Sequence, residues 1–284
     1  MRKLSKPADG AVDVFLLCAD GVKEADLRAR FNQVTPDIQK AAEAFEAAAA
    51  AATLYLLEEK QDVAGLVTAR EMADLYEQRM ARAGSRGRRI YDKLKLLANT
   101  CPLCAHRPVS GLDHQLPRSR FPALAVTPTN LVPACGDCNK RKHSSRPRTA
   151  EEQTFHPYFD DFGREPWLHA ELVESSPPVL RFFVRPPSSW PALWGARARH
   201  HFKFFRLAEL YTAQAAQELV DIRYPLTKLR ERAGAAAVHD HLKETADGLE
   251  KLNQNSWKTA MYKALGASSW FCTKGLASIP SESS

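Results

Sequence analysis

The chain has 284 residues, 44% of them hydrophobic and 26% charged, with 40 Lys+Arg against 33 Asp+Glu and a formal net charge of +7. This length suits one large domain or two modest ones with a true core, and the composition excludes a disordered tail. No window approaches about 18 consecutive apolar residues, and the run Val14 to Leu17 is too short for a signal-peptide core, so a soluble cytoplasmic protein without membrane contact is expected.

The first hundred residues read as helical. Thr35-Pro36 starts a run of helix formers reaching about Glu59, with six alanines from Ala47 to Ala52. Thr68-Ala69-Arg70-Glu71 fits a capping box, and its helix is expected to stop near Gly84. A third helix, about Arg88 to Leu97, leads into a cysteine-rich centre. Ser144-Ser145-Arg146-Pro147 marks the next boundary, and the aromatic stretch Thr154 to Asp161 is expected to pack the centre against the C-terminal helices. Ala170–Glu174 and Val179–Arg185, separated by Ser-Ser-Pro-Pro, read as a hairpin. Helices then follow over about Ala196–Ile222, Leu226–Ala233, Ala236–Leu252 and Ser256–Leu265, with a frayed end from Ile279. The fold class is mainly α with a small α+β insert. The expected division is 1–98 helical, 99–148 central module, 149–278 mostly helical with a short hairpin, and 279–284 tail.

Charge is unevenly placed. Between Arg79 and Arg148 there are fifteen Lys/Arg and three acids, so this window is +12 and the remainder −5. A basic middle of this length points to a polyanionic partner. The same window holds four of the six cysteines, Cys101, Cys104, Cys135 and Cys138, as two Cys-x-x-Cys pairs. In an intracellular chain such knuckles imply tetrahedral zinc with a closed, structural coordination sphere. Cys18 and Cys272 lie in apolar surroundings and read as small buried hydrophobes.

The interval between the knuckles is 30 residues, longer than a plain zinc ribbon needs. Inserted there are Leu112-Asp113-His114-Gln115-Leu116-Pro117 and Thr129-Asn130-Leu131, and the second knuckle continues as Asn139-Lys140-Arg141-Lys142-His143. In this order the motifs resemble an HNH endonuclease domain with the ββα-metal fold, in the variant carrying four zinc cysteines. The resemblance covers about 45 of the 284 residues.

It implies a metal-dependent nuclease leaving 5′-phosphate and 3′-hydroxyl ends. His114 would be the general base, neutral at physiological pH because an unperturbed imidazole has a pKa of about 6.5. Asp113 would ligate Mg²⁺ or Mn²⁺. Because neighbouring side chains on a strand point to opposite faces, both reach one phosphate only where the strand ends or bulges. Asn130 would hold the His114 loop through backbone hydrogen bonds. Asn139 stands where the family name has its last histidine and would offer a carbonyl oxygen to the metal. His143, four residues on, is the alternative ligand or a phosphate contact. Arg118, Arg120, Lys140, Arg141 and Lys142 would position the nucleic-acid backbone.

DNA is the expected substrate, with RNA as a variant of the same reading. A zinc-stabilised nucleic-acid-binding module without turnover is the alternative from another class. By analogy with the family, the expected context is a bacterial restriction or anti-phage defence effector, restrained by its helical arms or by a regulatory partner such as an ATPase.

Overall fold

The computed structural model describes residues 3–280, and the chain divides into two compact units with the boundary between Asp161 and Phe162. The architecture is mainly α-helical with three two-stranded antiparallel sheets among the described residues.

In the first unit, α1 (Ala11–Ala19), α2 (Ala25–Gln33) and α3 (Thr35–Ala50) precede a small hairpin of β1 (Asp62–Val63) and β2 (Val67–Thr68). The helix begun at Thr35-Pro36 stops at Ala50 and does not reach Glu59, because Ala52 takes a left-handed φ of 57° that ends the alanine run. α4 (Ala69–Leu75) starts at Thr68, and the capping box is complete: the Thr68 side chain accepts from the Glu71 N–H while Glu71 accepts from the Thr68 N–H. The helix then widens into a π-turn, Tyr76–Ala81, before Gly84 at φ +76° and α5 (Arg88–Lys95). Gly87 is required where α5 begins, since a Cβ there would lie 2.6 Å from the Arg79 carbonyl oxygen and 2.7 Å from Cys18 Sγ.

β3 (Gly111–His114) and β4 (Leu131–Ala134) pair antiparallel, with Gly111 opposite Ala134 and His114 opposite Leu131, and α6 (Gly136–Lys142) follows directly. The hairpin does not form a domain separate from the helices before it. Leu112, Ala125, Val126 and Leu131 are buried in one core with Phe15, Phe31, Ile38, Met72, Leu75 and Ile90, so the boundary expected at residue 98 is absent. The boundary expected at 148 moves to 161. Phe159 lies edge-on to Phe45 of α3, the Tyr158 hydroxyl donates to the Leu131 carbonyl at 2.8 Å, and Gln153 Oε1 accepts from the Leu54 N–H at 2.9 Å. These contacts anchor the aromatic stretch within the first unit.

The second unit contains β5 (Leu168–Val173) and β6 (Val179–Val184), then α7 (Ala192–Phe204), α8 (Leu207–Asn253), α9 (Trp257–Gly266) and α10 (Ser269–Thr273). α9 packs on β5 and α8 on both β6 and α9. Arg206, left-handed at φ 51°, separates α7 from α8, where one continuous helix was expected. Pro225, expected between helices, lies inside α8, while the break expected between Ala233 and Ala236 is present at Gly234 (φ 82°, ψ 179°). Ile279, assigned to a frayed end, is 3% exposed, and positions 281–284 of that tail fall outside the described residues. No described helix is long and apolar enough to cross a membrane.

Candidate functional site

The hairpin β3–β4 has two chemically different ends. At the Gly111–Ala134 end sit the four cysteines. The first knuckle is a tight turn in which the Cys101 N–H donates to the Arg107 carbonyl and the Ala105 N–H to the Cys101 carbonyl, both at 2.8 Å, with Ala105 left-handed at φ 51°. In the second, Cys135 caps α6 and its sulfur accepts from the Cys138 N–H at 3.5 Å. All four side chains are buried, their sulfurs lie within 4.8 Å of one another, and the Cys104 and Cys135 sulfurs are 3.9 Å apart. Tetrahedral ligation with Zn–S bonds of about 2.3 Å needs sulfurs about 3.8 Å apart. The four cysteines can therefore hold a zinc ion, and they leave no open ligand position.

At the other end β3 stops at His114, with no bulge in the register. Asp113 and His114 take different surroundings, as strand alternation requires. Asp113 is 5% exposed and meets Lys142, the last residue of α6, with Oδ2 to Nζ at 3.5 Å. Lys142 Nζ also donates to the His114 carbonyl oxygen. Burial pushes the Asp113 carboxyl up and the Lys142 ammonium down, and each charge partly offsets the shift of the other. The pair stakes the end of α6 to the end of β3.

The His114 ring faces Ala125 and Tyr76. Its Nε2 lies 2.8 Å from the Ala125 carbonyl oxygen. A carbonyl only accepts, so Nε2 carries the proton and Nδ1 is the ring's acceptor. Burial pushes the imidazole down to about 3, well below the unperturbed value the sequence reading assumed, so the ring is neutral throughout the physiological range. The Tyr76 ring packs edge-on against it at 4.6 Å between centroids.

Asn130, fully buried, holds the loop that joins the two strands. Its Oδ1 accepts from the Leu116 N–H at 2.8 Å, and its Nδ2 donates to the Leu116 and Leu124 carbonyls at 3.1 Å each. The Leu124 contact lies next to Ala125, the residue that binds His114. Asn139 is on α6 and partly exposed. His143 falls beyond the helix end with φ 43°, ψ −121°, and its Nδ1 pairs with Ser144 Oγ at 2.9 Å. That backbone turn removes it from the helical face on which the four-residue spacing placed it.

The predicted cationic track is largely occupied from within. Arg118 pairs with Glu77 at 2.6 Å, and Glu59 pairs with Arg120 at 2.9 Å and Arg146 at 2.5 Å. Lys142 is 4% exposed and belongs to Asp113, which corrects its assignment as a surface phosphate contact. Lys140 and Arg141 remain on the exposed side of α6. The acids that pair with Arg118 and Arg120 come from outside the +12 window, 41 and 61 residues away along the chain. Sequence reading missed Tyr76, Glu77 and Glu59 because no local signal links them to the motif. In the sequence Tyr76 is one aromatic in a helix expected to run on to Gly84.

Against this geometry stand the comparisons with known proteins. The chain is 28% identical to protein ea31 of Escherichia phage lambda over 296 aligned positions, covering 95% of this chain and 99% of that one. No protein-family model matches the chain, and no solved structure matches it.

Proposed function

We propose that this chain is a metal-dependent endonuclease of the HNH type that hydrolyses phosphodiester bonds, with DNA as its substrate. The observation that carries the reading is the state of His114. Its Nε2–H is fixed on the Ala125 carbonyl, so a neutral Nδ1 is left to accept a proton at the end of a short hairpin that runs into a helix.

In the proposed reaction a water oxygen attacks phosphorus and its proton passes to His114 Nδ1, while the bond to the 3′-oxygen breaks and that oxygen takes a proton from solvent to leave as the 3′-hydroxyl. An imidazole of such low proton affinity is a weak base alone. An anionic phosphate placed beside it raises that affinity, so the base becomes effective with substrate present. Asn130 keeps the Ala125 carbonyl in place through its bond to Leu124, and Lys142 keeps the His114 backbone in place. Asp113 and Asn139 offer the oxygen donors that a hard divalent cation takes, although Asp113 already faces one positive charge in Lys142. When bound there, Mg²⁺ or Mn²⁺ would neutralise charge on the phosphate and the leaving oxygen. Lys140 and Arg141 would position the nucleic-acid backbone from α6.

The Asp113–Lys142 pair also favours a second reading, a zinc-stabilised nucleic-acid binder without turnover, in which the carboxylate needs no metal. One experiment separates the two: supercoiled plasmid incubated with the protein and Mg²⁺ or Mn²⁺, beside a His114→Ala control. Cleavage by the wild type, reduced roughly a hundredfold or more in the variant, is expected. Equal nicking by both proteins would remove the catalytic claim, and a parallel RNA arm decides the polymer. We extend the proposal to a role in restriction or anti-phage defence.

A further inference from the structure

The π-turn that follows α4 reaches the candidate base from outside its motif. Tyr76, 8% exposed, packs its ring against the His114 imidazole at 4.6 Å and an interplanar angle of 66°. The guanidinium of Arg118 lies over the same tyrosine ring at 4.9 Å, and Glu77, the next residue, accepts from Arg118 Nη2 at 2.6 Å. Two consecutive side chains of the turn therefore grip both ends of the segment His114 to Arg118. The wider turn begins at Tyr76 itself, immediately after the last residue of α4, and π-turns of this kind recur at functional sites.

A single hydrogen bond does not fix an imidazole. The contact from Nε2 to the Ala125 carbonyl leaves the ring free to pivot about that line and, if the bond breaks, to exchange tautomers. A second ring packed against it in a T-shaped arrangement opposes that pivot, because an edge-to-face ring pair is selective in angle as well as distance. From these contacts we propose that Tyr76 is a positioning residue for His114, fixing the plane of the imidazole and the aim of its acceptor Nδ1, so that the N-terminal helical segment is part of the site. This inference rests on the nuclease reading for its catalytic consequence but not for its structural one.

The test uses the full chain, charged with zinc, and the variants Tyr76→Leu, Tyr76→Met and Tyr76→Phe. Two readouts are taken: plasmid cleavage resolved into kcat and KM, and the ring-nitrogen NMR signals of His114, assigned by comparison with His114→Ala. Zinc content and melting temperature confirm that each variant is folded, with Tyr76→Met as the second chance if Tyr76→Leu is not. The wild type is expected to show His114 as a single Nε2–H tautomer. Tyr76→Leu is expected to show averaging of the two tautomers and a fall in kcat of roughly ten- to a hundredfold with KM unchanged, as for a misaimed catalytic group. Tyr76→Phe, which restores the ring, is expected to recover most of both. A folded Tyr76→Leu or Tyr76→Met with wild-type kcat and a single tautomer overturns the proposal. Tautomer averaging in the variant, with no cleavage by any protein including the wild type, upholds the positioning role and sinks the nuclease reading alone.

Discussion

Asn130 in the first unit and Asn255 in the second are two uses of one device. Both are buried, at 0% and 1% exposure, and both spend the amide on backbone groups where the chain turns into or out of a strand. Asn130 ties Leu116 to Leu124 across the loop between β3 and β4. Asn255 accepts from the Trp167 and Leu168 N–H groups at 2.8 and 3.3 Å and donates to the Glu165 carbonyl at 2.9 Å, fixing the chain where it turns into β5. An amide carries two donors and two acceptor sites, so one side chain can satisfy several orphaned backbone groups at once. What differs is the company. Next to the loop held by Asn130 are Asp113, His114 and Lys142; beside Asn255 are Trp167 and Phe162. A buried asparagine in a loop is thus a structural staple in either place. The neighbouring ionisable groups, not the amide, single out the first unit as the candidate site.

The two hairpins extend this contrast and give the largest expected effect. β5–β6 has six residue pairs and is covered by α8 and α9, whereas β3–β4 has only four pairs and is staked at one end by sulfur. A structural zinc site supplies folding free energy outright, on the order of 10–16 kcal/mol of apparent binding in small zinc modules. Cys138→Ser is therefore expected to abolish zinc retention and the cooperative thermal transition of the first unit. Cys272→Ser, buried in the second unit, should keep the full zinc content. Zinc per chain and thermal unfolding followed together check this. A Cys138→Ser protein that melts like the wild type would mean the hairpin stands without the metal.

The next effect acts on the asparagines themselves. Asn130→Ala and Asn255→Ala each strand buried backbone groups, at a cost of about 1–3 kcal/mol for an unsatisfied group, and similar losses in stability are expected. Activity should separate them. Asn130→Ala frees Leu124 and, with it, the Ala125 carbonyl that holds His114, so cleavage per folded molecule should fall. Asn255→Ala should cleave as the wild type does once the folded fraction is matched. Equal activity losses in the two variants would erase the distinction drawn between the two loops.

How much of this could be read beforehand follows from the range of each interaction. Local signals were legible: the Thr68–Glu71 capping box spans three residues, the knuckles two residues each, and the strand pair of the second unit is flagged by Ser-Ser-Pro-Pro. Departures arose where an unusual conformation carried no unusual residue. Ala52 and Arg206 adopt left-handed φ without being glycine, so the end of α3 and the break between α7 and α8 left no mark. Charge misled for a related reason. A window at +12 looked like an open cationic face, but Glu59 and Glu77 return from distant sequence to occupy Arg118, Arg120 and Arg146. In the same way Lys142, read as a surface cation from its basic neighbours, is the residue on α6 that turns inward to a buried carboxylate. Pairings across 41 or 61 residues are properties of the fold and have no sequence signature.

The smallest expected effect concerns a third staple, and it differs from the asparagines in being able to titrate. Glu71 accepts from the Thr68 N–H at 2.8 Å and from the Arg30 guanidinium at 3.1 and 2.7 Å, so it joins the start of α4 to α2. The Arg30 hydrogen bonds, helped by those from Thr68, hold its carboxyl down at about 2, below the usual 4.5. A carboxylate depressed in the folded state contributes stability that is complete above about pH 4.5 and is lost as pH falls toward about 2. Glu71→Gln keeps an oxygen for the cap but gives up the charge, so it should cost about 1 kcal/mol or less at pH 7, as for other partly exposed pairs. Urea titrations of wild type and variant at pH 7 and pH 3 measure the difference. The gap should narrow at pH 3, because the wild type has by then begun to lose what the variant never had. A gap constant across that range would mean Glu71 acts through its hydrogen-bond geometry alone, as the two asparagines do.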